Sequence, residues 1–481
     1  MRGKQHLNMQ ISKSDFVRYL SCPGSFWLLK HKTDAYPHGK LSDYAKKTIA
    51  EAQKVREYVK ALVSNRPDAK AYSFAVEFNA EGGLSAGADV VRDNGNDTIN
   101  LLTVKSSNSV KRDRKHSHIK GAAFLRVVAE TGGQQISRQF IVHLNGDYVR
   151  QGDVDPSELL RFVDVTDEVS VIEKEVRVEI DAALSLLSEA KIDERACSCL
   201  RLTKSNHCDA FDYFNRHVPK PSIYDLPRLS QRKLEKFIAA GHIGLDDIQV
   251  DEVTGSQALV LQSAQSRKPV INQKAIARFL GEAVYPLYFL DYETFSSAIP
   301  IVEGARPQTP IPFQYSLHVK HSEGDGELQH FEYLAEEVVL PIALIDHMQS
   351  NIGPVGSIVS WHSAFENTQN VNMAQQYPEK AEFLNGLIAR TLDLELVFKE
   401  GYVDIAFGGS TSIKKVLPRL VPDLKYDGLA VASGTDAMEA WGQFISTSDE
   451  NERDELEEKL LAYCKLDTLA MVRIFEVIEG L

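Results

Sequence analysis

The sequence predicts an α/β protein of more than one domain, and three observations predict it. A chain of 481 residues exceeds what one ordinary core encloses, so two or three domains are expected. Strand-like pieces alternate with helical stretches on either side of Pro219-Lys220-Pro221, which marks a boundary. An apolar run from Val284 to Leu290 then ends in Asp291 and Glu293, two carboxylates at i, i+2 that share one face of a strand. Two anions side by side repel and cost stability unless a cation holds them. A divalent metal is expected there, with further ligands elsewhere in the chain.

Composition is that of a globular protein, 43% apolar and 25% charged, with no apolar run near membrane-spanning length. No apolar segment follows Met1-Arg2-Gly3-Lys4-Gln5-His6, so no secretory signal is visible and a cytoplasmic protein is expected, without a membrane partner. The net charge of -13 argues against a uniformly basic coat for nucleic acid. It leaves room for a local strip, because phosphates respond to charge within about a Debye length. Lys105, Lys111, Arg112, Arg114, Lys115 and Lys120, with His116 and His118 interleaved, form one. The alternative for this strip is a solvated loop.

Residues 1–220 form the first predicted domain. Ser12 or Ser14 caps a helix carrying Phe16, Tyr19 and Leu20, which Cys22-Pro23 closes. A helix over roughly 42–63 precedes strands at 71–78, 87–92 and 98–104, separated by Gly82-Gly83 and Asp93-Asn94-Gly95-Asn96 turns. A helix over 119–130 and a strand over 136–144 follow. This order, with Asp89 in one strand and Lys105 ending the next, resembles the PD-(D/E)XK nuclease fold, in its RecB-type and CRISPR-associated branch. The resemblance implies Asp89 as a metal ligand and Lys105 beside the scissile phosphate. Thr103 stands where the pattern has a Glu, and the helix from Ile119 lacks the family's Asp and Gln. Glu77 is another acid, but it does not fill that gap. A Thr hydroxyl replaces a carboxylate poorly on Mg²⁺, so a degenerate site is expected, binding nucleic acid without cutting it.

Among the five cysteines, Cys197, Cys199 and Cys208 are clustered. Without a secretory signal, such clustering suggests a metal or a cluster in place of disulfides. In the RecB-type branch a Cys-Pro segment, here Tyr19-Leu20-Ser21-Cys22-Pro23, pairs with a late cysteine cluster to hold an iron–sulfur centre. Cys22, Cys197, Cys199 and Cys208 meet the count for a [4Fe–4S] cluster. Zinc and unligated thiols are the alternatives. Phe214 sits where the family's last cysteine is expected.

Residues 221–284 are predicted to be a helical connector, with helices at 231–240, 257–268 and 271–280. The helix, Gly241-containing turn and second helix faintly suggest a helix-hairpin-helix contact with DNA, and a spacer is the simpler reading.

Residues 285–481 form the last predicted domain. Strands are expected at 313–319 and 328–333, a helix at 338–349, and a buried strand at 358–362 followed by a helix that opens with Glu366. An anion is tolerated at that helix start. Asp393 is the competing acid, since it too ends a candidate strand. The acidic run 449–459 reads as a solvated lead into a helix over 460–478, which carries Tyr463 and Asp467 at i, i+4. These elements, in this order, resemble the DEDD exonucleases of the RNase H-like superfamily in the variant with a tyrosine. The fuller text resembles a bacterial family of unknown function that fuses a RecB-like nuclease domain to a DEDD exonuclease-like one. Leu290-Asp291-Tyr292-Glu293-Thr294-Phe295, Ser363-Ala364-Phe365-Glu366-Asn367-Thr368, Ser412-Ile413-Lys414-Lys415-Val416-Leu417-Pro418 and Tyr463-Cys464-Lys465-Leu466-Asp467-Thr468 carry that resemblance.

The expected fold is therefore a PD-(D/E)XK-like domain followed by an RNase H-like DEDD domain. Two divalent ions can activate a water and stabilise a leaving oxygen, and four carboxylates from separate elements suit such a pair. Asp291 would bridge, with Glu293, Glu366 and Asp467 completing the shells. Hard oxygen donors select Mg²⁺ or Mn²⁺. By resemblance Tyr463 orients the attacking water. Lys414 and Lys415, after a Gly408-Gly409 loop, are expected to contact phosphate at a helix start, although an ordinary N-capped helix explains that loop equally well. The expected activity is 3′→5′ exonuclease action on DNA or RNA. The rival is a non-catalytic nucleic-acid-binding protein of a repair or defence assembly.

Overall fold

The computed structural model describes residues 10–39, 43–113, 117–324, 327–426, 428 and 431–481. Two compact units result, Met1–His217 with Ser297–Thr309, and Val218–Ser296 with Pro310–Leu481. Both are mixed α/β. No helix among the described residues is long and apolar enough to cross a membrane.

In the first unit, Ser12 and Asp15 make a reciprocal capping box at the start of the helix Lys13–Ser21. Cys22 ends that helix and also caps the next, Pro23–His31. The sheet is six-stranded among the described residues. Leu84–Asp93 pairs with both Tyr72–Ala80 and Thr98–Val104, and the latter runs parallel to Gln135–Leu144. The helix His118–Thr131 makes the crossover, burying Phe124 against Phe16 with ring centroids 4.8 Å apart.

A 23-residue helix, Thr166–Ser188, covers the same core and has no counterpart in the sequence expectations. Its buried positions Val169, Val176, Ile180, Ala183 and Leu187 follow helical spacing. Val171 and Val178 are exposed between them, and this alternation of β-branched residues imitates a strand.

The second unit has a five-stranded sheet among the described residues. Leu287–Phe295 lies at its centre, antiparallel to Ile311–Lys320 and parallel to Ser357–Ser360. Gln329–Leu334 forms one edge and Thr391–Asp393 the other. The close approach of Ser357–Ser360 requires Gly356, at φ +97°, because a Cβ there would lie 2.2 Å from the Pro286 carbonyl oxygen.

The two sides of the central strand meet different helices. Tyr288, Leu290 and Tyr292 pack with Met348, Met373 and Leu384, whereas Leu287 and Phe289 pack with Met471 and Phe475. Met471 and Phe475 belong to Glu450–Glu479, a 30-residue helix about 45 Å long. The acidic run 449–459 is thus the first turns of this helix and its Asp449 cap, not a separate lead. Residues 221–284 are likewise no free connector. Val270–Ile271 pairs with Tyr402–Val403, and Ile276 is buried in the cluster of Phe289 and Phe475. Conversely, Ala298 and Ile299, expected within the last domain, are buried with Val55, Val59 and Leu144 of the first unit.

Candidate metal centre

The face of the central strand that begins with Leu287 and Phe289 continues with Asp291 and Glu293. Opposite it, the long helix changes character in step. Phe289 meets Phe475 with ring centroids 5.6 Å apart, and two turns earlier the helix presents Asp467, Cys464 and Tyr463. Thr468 pins this register, bonding to Ser316 at 2.7 Å and His318 at 2.8 Å on the neighbouring strand. The apolar half of the contact holds strand and helix together, and the polar half opens into a cleft of about 530 Å³. Asp291, Glu293, Asp467, Tyr463 and Lys414 line it, with Trp361, Phe365 and Met438 supplying apolar walls.

Oxygens of Asp291 and Glu293 and the Cys464 sulfur lie within 4.8 Å of one another. Glu293, Glu366 and Asp467 are each less than 10% exposed. Burial, then the charges of Asp467, Glu293 and Glu366, push Asp291 well above the ordinary carboxylate range. Burial and Asp467 lift Glu293 to about 8, against the opposing pull of Lys414. Asp467 reaches about 6, because the hydroxyls of Tyr426 and Tyr463 and the charge of Lys414 offset part of its burial. Cys464 is pushed up by burial and by Asp291, so its thiol stays protonated beside Asp291 Oδ2 at 3.8 Å.

Glu366 sits in the first turn of the helix Ala364–Gln376, just beyond the strand Ser357–Ser360. Burial lifts it to about 8, and its Oε2 has no hydrogen-bond partner among the described residues. Its rival, Asp393, uses one oxygen, Oδ1, to accept the backbone N–H groups of His362 and Glu395 at 3.1 Å each, and its ligand atom lies within 4.8 Å of those of His362 and Glu395 in a separate group. A buried carboxylate oxygen without a donor needs a proton or a cation. Of the predicted set, Asp291 and Glu293 lie within 4.8 Å of each other while Glu366 and Asp467 fall outside that group, and oxygen donors of this kind suit a hard divalent ion. Tyr426, which donates to Asp467 Oδ1, is a site residue that the sequence reading missed.

The first unit treats its acid differently. Asp89 Oδ1 pairs with Arg56 Nε at 2.6 Å, and Oδ2 accepts the Val104 N–H at 2.7 Å. Thr103 is buried and Glu77 exposed. Lys105 is lowered to about 8, chiefly by burial and then by Lys13, with Asp89 opposing. Both oxygens of Asp89 are thus taken by the protein's own donors, and a guanidinium stands where a metal would be needed.

The cysteines do converge. The sulfurs of Cys22, Cys197, Cys199 and Cys208 all lie within 4.8 Å of one another, and Cys197 and Cys208 are 4.0 Å apart. The Ser25 N–H and the Asn215 side chain donate to Cys22 and Cys197 at 3.4 and 3.3 Å. S–H groups of Cys199 and Cys208 draw Cys197 down to about 7. Phe214 is buried with its ring against Gly24, a packing residue at the place of the expected last cysteine. Four thiols without a carboxylate or imidazole fit a thiolate-held centre, either tetrahedral zinc or an iron–sulfur cluster.

Two residues of the predicted basic strip are paired within the chain. Arg112 is held by both oxygens of Glu168, and Lys120 by Glu175 and Glu179. Lys111 is exposed, and Arg114, Lys115 and His116 lie outside the described residues. Lys415 is exposed, whereas Lys414 points into the acidic cleft.

Comparison with known proteins finds relatives without an assigned activity. The uncharacterized protein MG366 of Mycoplasma genitalium is 27% identical over 215 residues, 40% of this chain and 32% of that protein. Its homolog in Mycoplasma pneumoniae is 27% identical over 205 residues, 39% of this chain and 31% of that one. The chain therefore spans about a third of the length of the curated relatives it matches. A solved structure described as the crystal structure of SSO0001 shares 13% identity over 43% of this chain and 90% of that chain, at a TM-score of 0.26. Residues 288–412, which include Asp291, Glu293 and Glu366, match the family described as Domain of unknown function (DUF2779).

Proposed function

We propose that the second unit is a metal-dependent nuclease, a 3′→5′ exonuclease on DNA or RNA, and that the first unit handles nucleic acid without cutting it. One observation carries this reading. Buried carboxylates from a strand and one helix, Asp291, Glu293 and Asp467, line an open cleft, and Glu366, whose charge is felt at Asp291, retains an oxygen with no donor among the described residues. Such crowding is unfavourable in the free protein and becomes favourable once cations enter.

Asp291, Glu293, Glu366 and Asp467 would hold Mg²⁺ or Mn²⁺. Bound divalent ions supply activation of a water and stabilisation of the leaving oxygen. Tyr463 offers a hydroxyl to orient that water, and Tyr426 fixes the Asp467 carboxylate. Trp361 and Phe365 give a sugar or base an apolar wall at the cleft. In the first unit, the Arg56–Asp89 pair supports the degenerate reading of its site, and the cysteine quartet is a structural tie between residues 22 and 197–208.

Incubation of 5′-labelled DNA and RNA strands with the protein and Mn²⁺ tests this. Progressive shortening is expected from the wild type, and a loss of about 100-fold or more in Asp291→Ala. Binding without shortening would favour a non-catalytic nucleic-acid binder. Cleavage abolished by Lys105→Ala and retained by Asp291→Ala would move the chemistry to the first unit.

A further inference from the structure

We propose that Lys414 is a positioning residue, which fixes the Tyr463 hydroxyl as a hydrogen-bond donor over the carboxylates. This rests on the nuclease reading and extends it to a group expected from sequence only as a phosphate contact.

The geometry is specific. Lys414 is the second residue of the helix Ile413–Leu420. The loop before that helix is set by Gly409, at φ +73°, where a Cβ would lie 2.7 Å from the Asp225 backbone. From this anchored start the Lys414 side chain reaches inward. Its ammonium donates to the Ala432 carbonyl oxygen and, at 3.2 Å, to the Tyr463 hydroxyl oxygen. It also sits 5.2 Å from the Tyr463 ring centroid and 5.3 Å from that of Tyr426. A lysine wedged between two tyrosines and tied to a backbone carbonyl is not a mobile surface charge.

An ammonium has donors and no acceptor. The Tyr463 oxygen therefore accepts from Lys414, and its own hydrogen is turned towards the carboxylates, where Asp467 takes it. That hydrogen-bond polarity is what orienting a nucleophilic water or a phosphate oxygen demands. The second tyrosine of the wedge, Tyr426, gives its hydrogen to Asp467. One lysine thus touches both phenols that face the acidic cluster. A cation that bound only the incoming strand would have no need of either.

The test measures Mn²⁺ affinity by calorimetry and strand shortening in parallel, on the wild type, Lys414→Met, Lys414→Arg and, as control, Asp291→Ala. Lys414→Met is expected to lower kcat by about 10- to 100-fold with KM for the strand within about twofold. Its Mn²⁺ affinity should equal or exceed the wild type's, because a positive charge has left the carboxylates. Lys414→Arg, which keeps a charged donor, should recover about tenfold of the rate. A wild-type rate in Lys414→Met would overturn the inference, and so would a raised KM at unchanged kcat, the signature of a strand-binding cation. Loss of Mn²⁺ binding in Lys414→Met would also overturn it, by making the lysine a prop for the carboxylates. Failure of the nuclease reading looks different: the wild type itself would bind no Mn²⁺ and leave strands intact.

Discussion

Asp89 and Asp291 both stand on a strand flanked by two neighbours in a mixed sheet, and the chain treats them in opposite ways. Around Asp89 the protein supplies the counterion, with Arg56 on one oxygen and a backbone N–H on the other. Around Asp291 it supplies more acid, from Glu293, Glu366 and Asp467, against the partial relief that Lys414 gives Glu293 and Asp467. A carboxylate neutralised from within is finished as structure. One crowded by its own kind is left requiring something from outside. The aspartate itself is the same in both places, so its environment and not its identity separates a self-neutralised acid from a candidate ligand.

The largest expected effect separates the two aspartates directly. Asp291→Asn should cut Mn²⁺-dependent strand shortening by about 100-fold or more, while Asp89→Asn leaves the rate unchanged, both read on labelled strands. A comparable loss in both would erase the distinction. Next comes the kind of metal expected of each unit. Cys199→Ser should lose the thiolate-held metal, by elemental analysis, and lower the melting temperature by several degrees. Dialysis against a mild oxygen-donor chelator should leave that metal in place and strip only added Mn²⁺.

The third effect is on stability against pH. In the fold Glu293 and Glu366 are raised to about 8 from an ordinary 4.5. Between those values the unfolded chain is ionised while the folded one keeps its protons. The metal-free protein should therefore lose stability as pH rises from about 5 to about 8, and saturating Mn²⁺ should flatten that slope in urea titrations. The smallest effect belongs to the self-neutralised pair. Asp89→Asn leaves a partly exposed Arg56 unpaired and should cost about 1–2 kcal/mol by urea denaturation.

The sequence made the second unit's acids legible because each stands at a patterned place. Asp291 and Glu293 end an apolar run, Glu366 opens a helix after a buried strand, and Tyr463 and Asp467 share a helix face. Tyr426 had no such marker, since it lies in a loop between helices and gains its role from a contact 41 residues away in sequence. The same holds for Arg56 and Asp89, which are 33 residues apart. Charge pairing across a fold leaves no trace in local periodicity. Lys414 was visible as a basic residue at a helix start, but its inward direction depends on how tightly the preceding loop packs at Gly409. Exposed valines hide the helix Thr166–Ser188 in the sequence, and the acidic residues in the first turns of the long last helix carry no apolar periodicity to mark its start.

The central claim is that the crowded acids hold protons only until a cation replaces them. Calorimetric titration of Mn²⁺ at pH 7, repeated in buffers of different ionisation enthalpy, counts the protons released on binding. The account predicts release of about one proton or more per chain, abolished in Asp291→Asn. Binding with no proton release, or no binding at all, would contradict it.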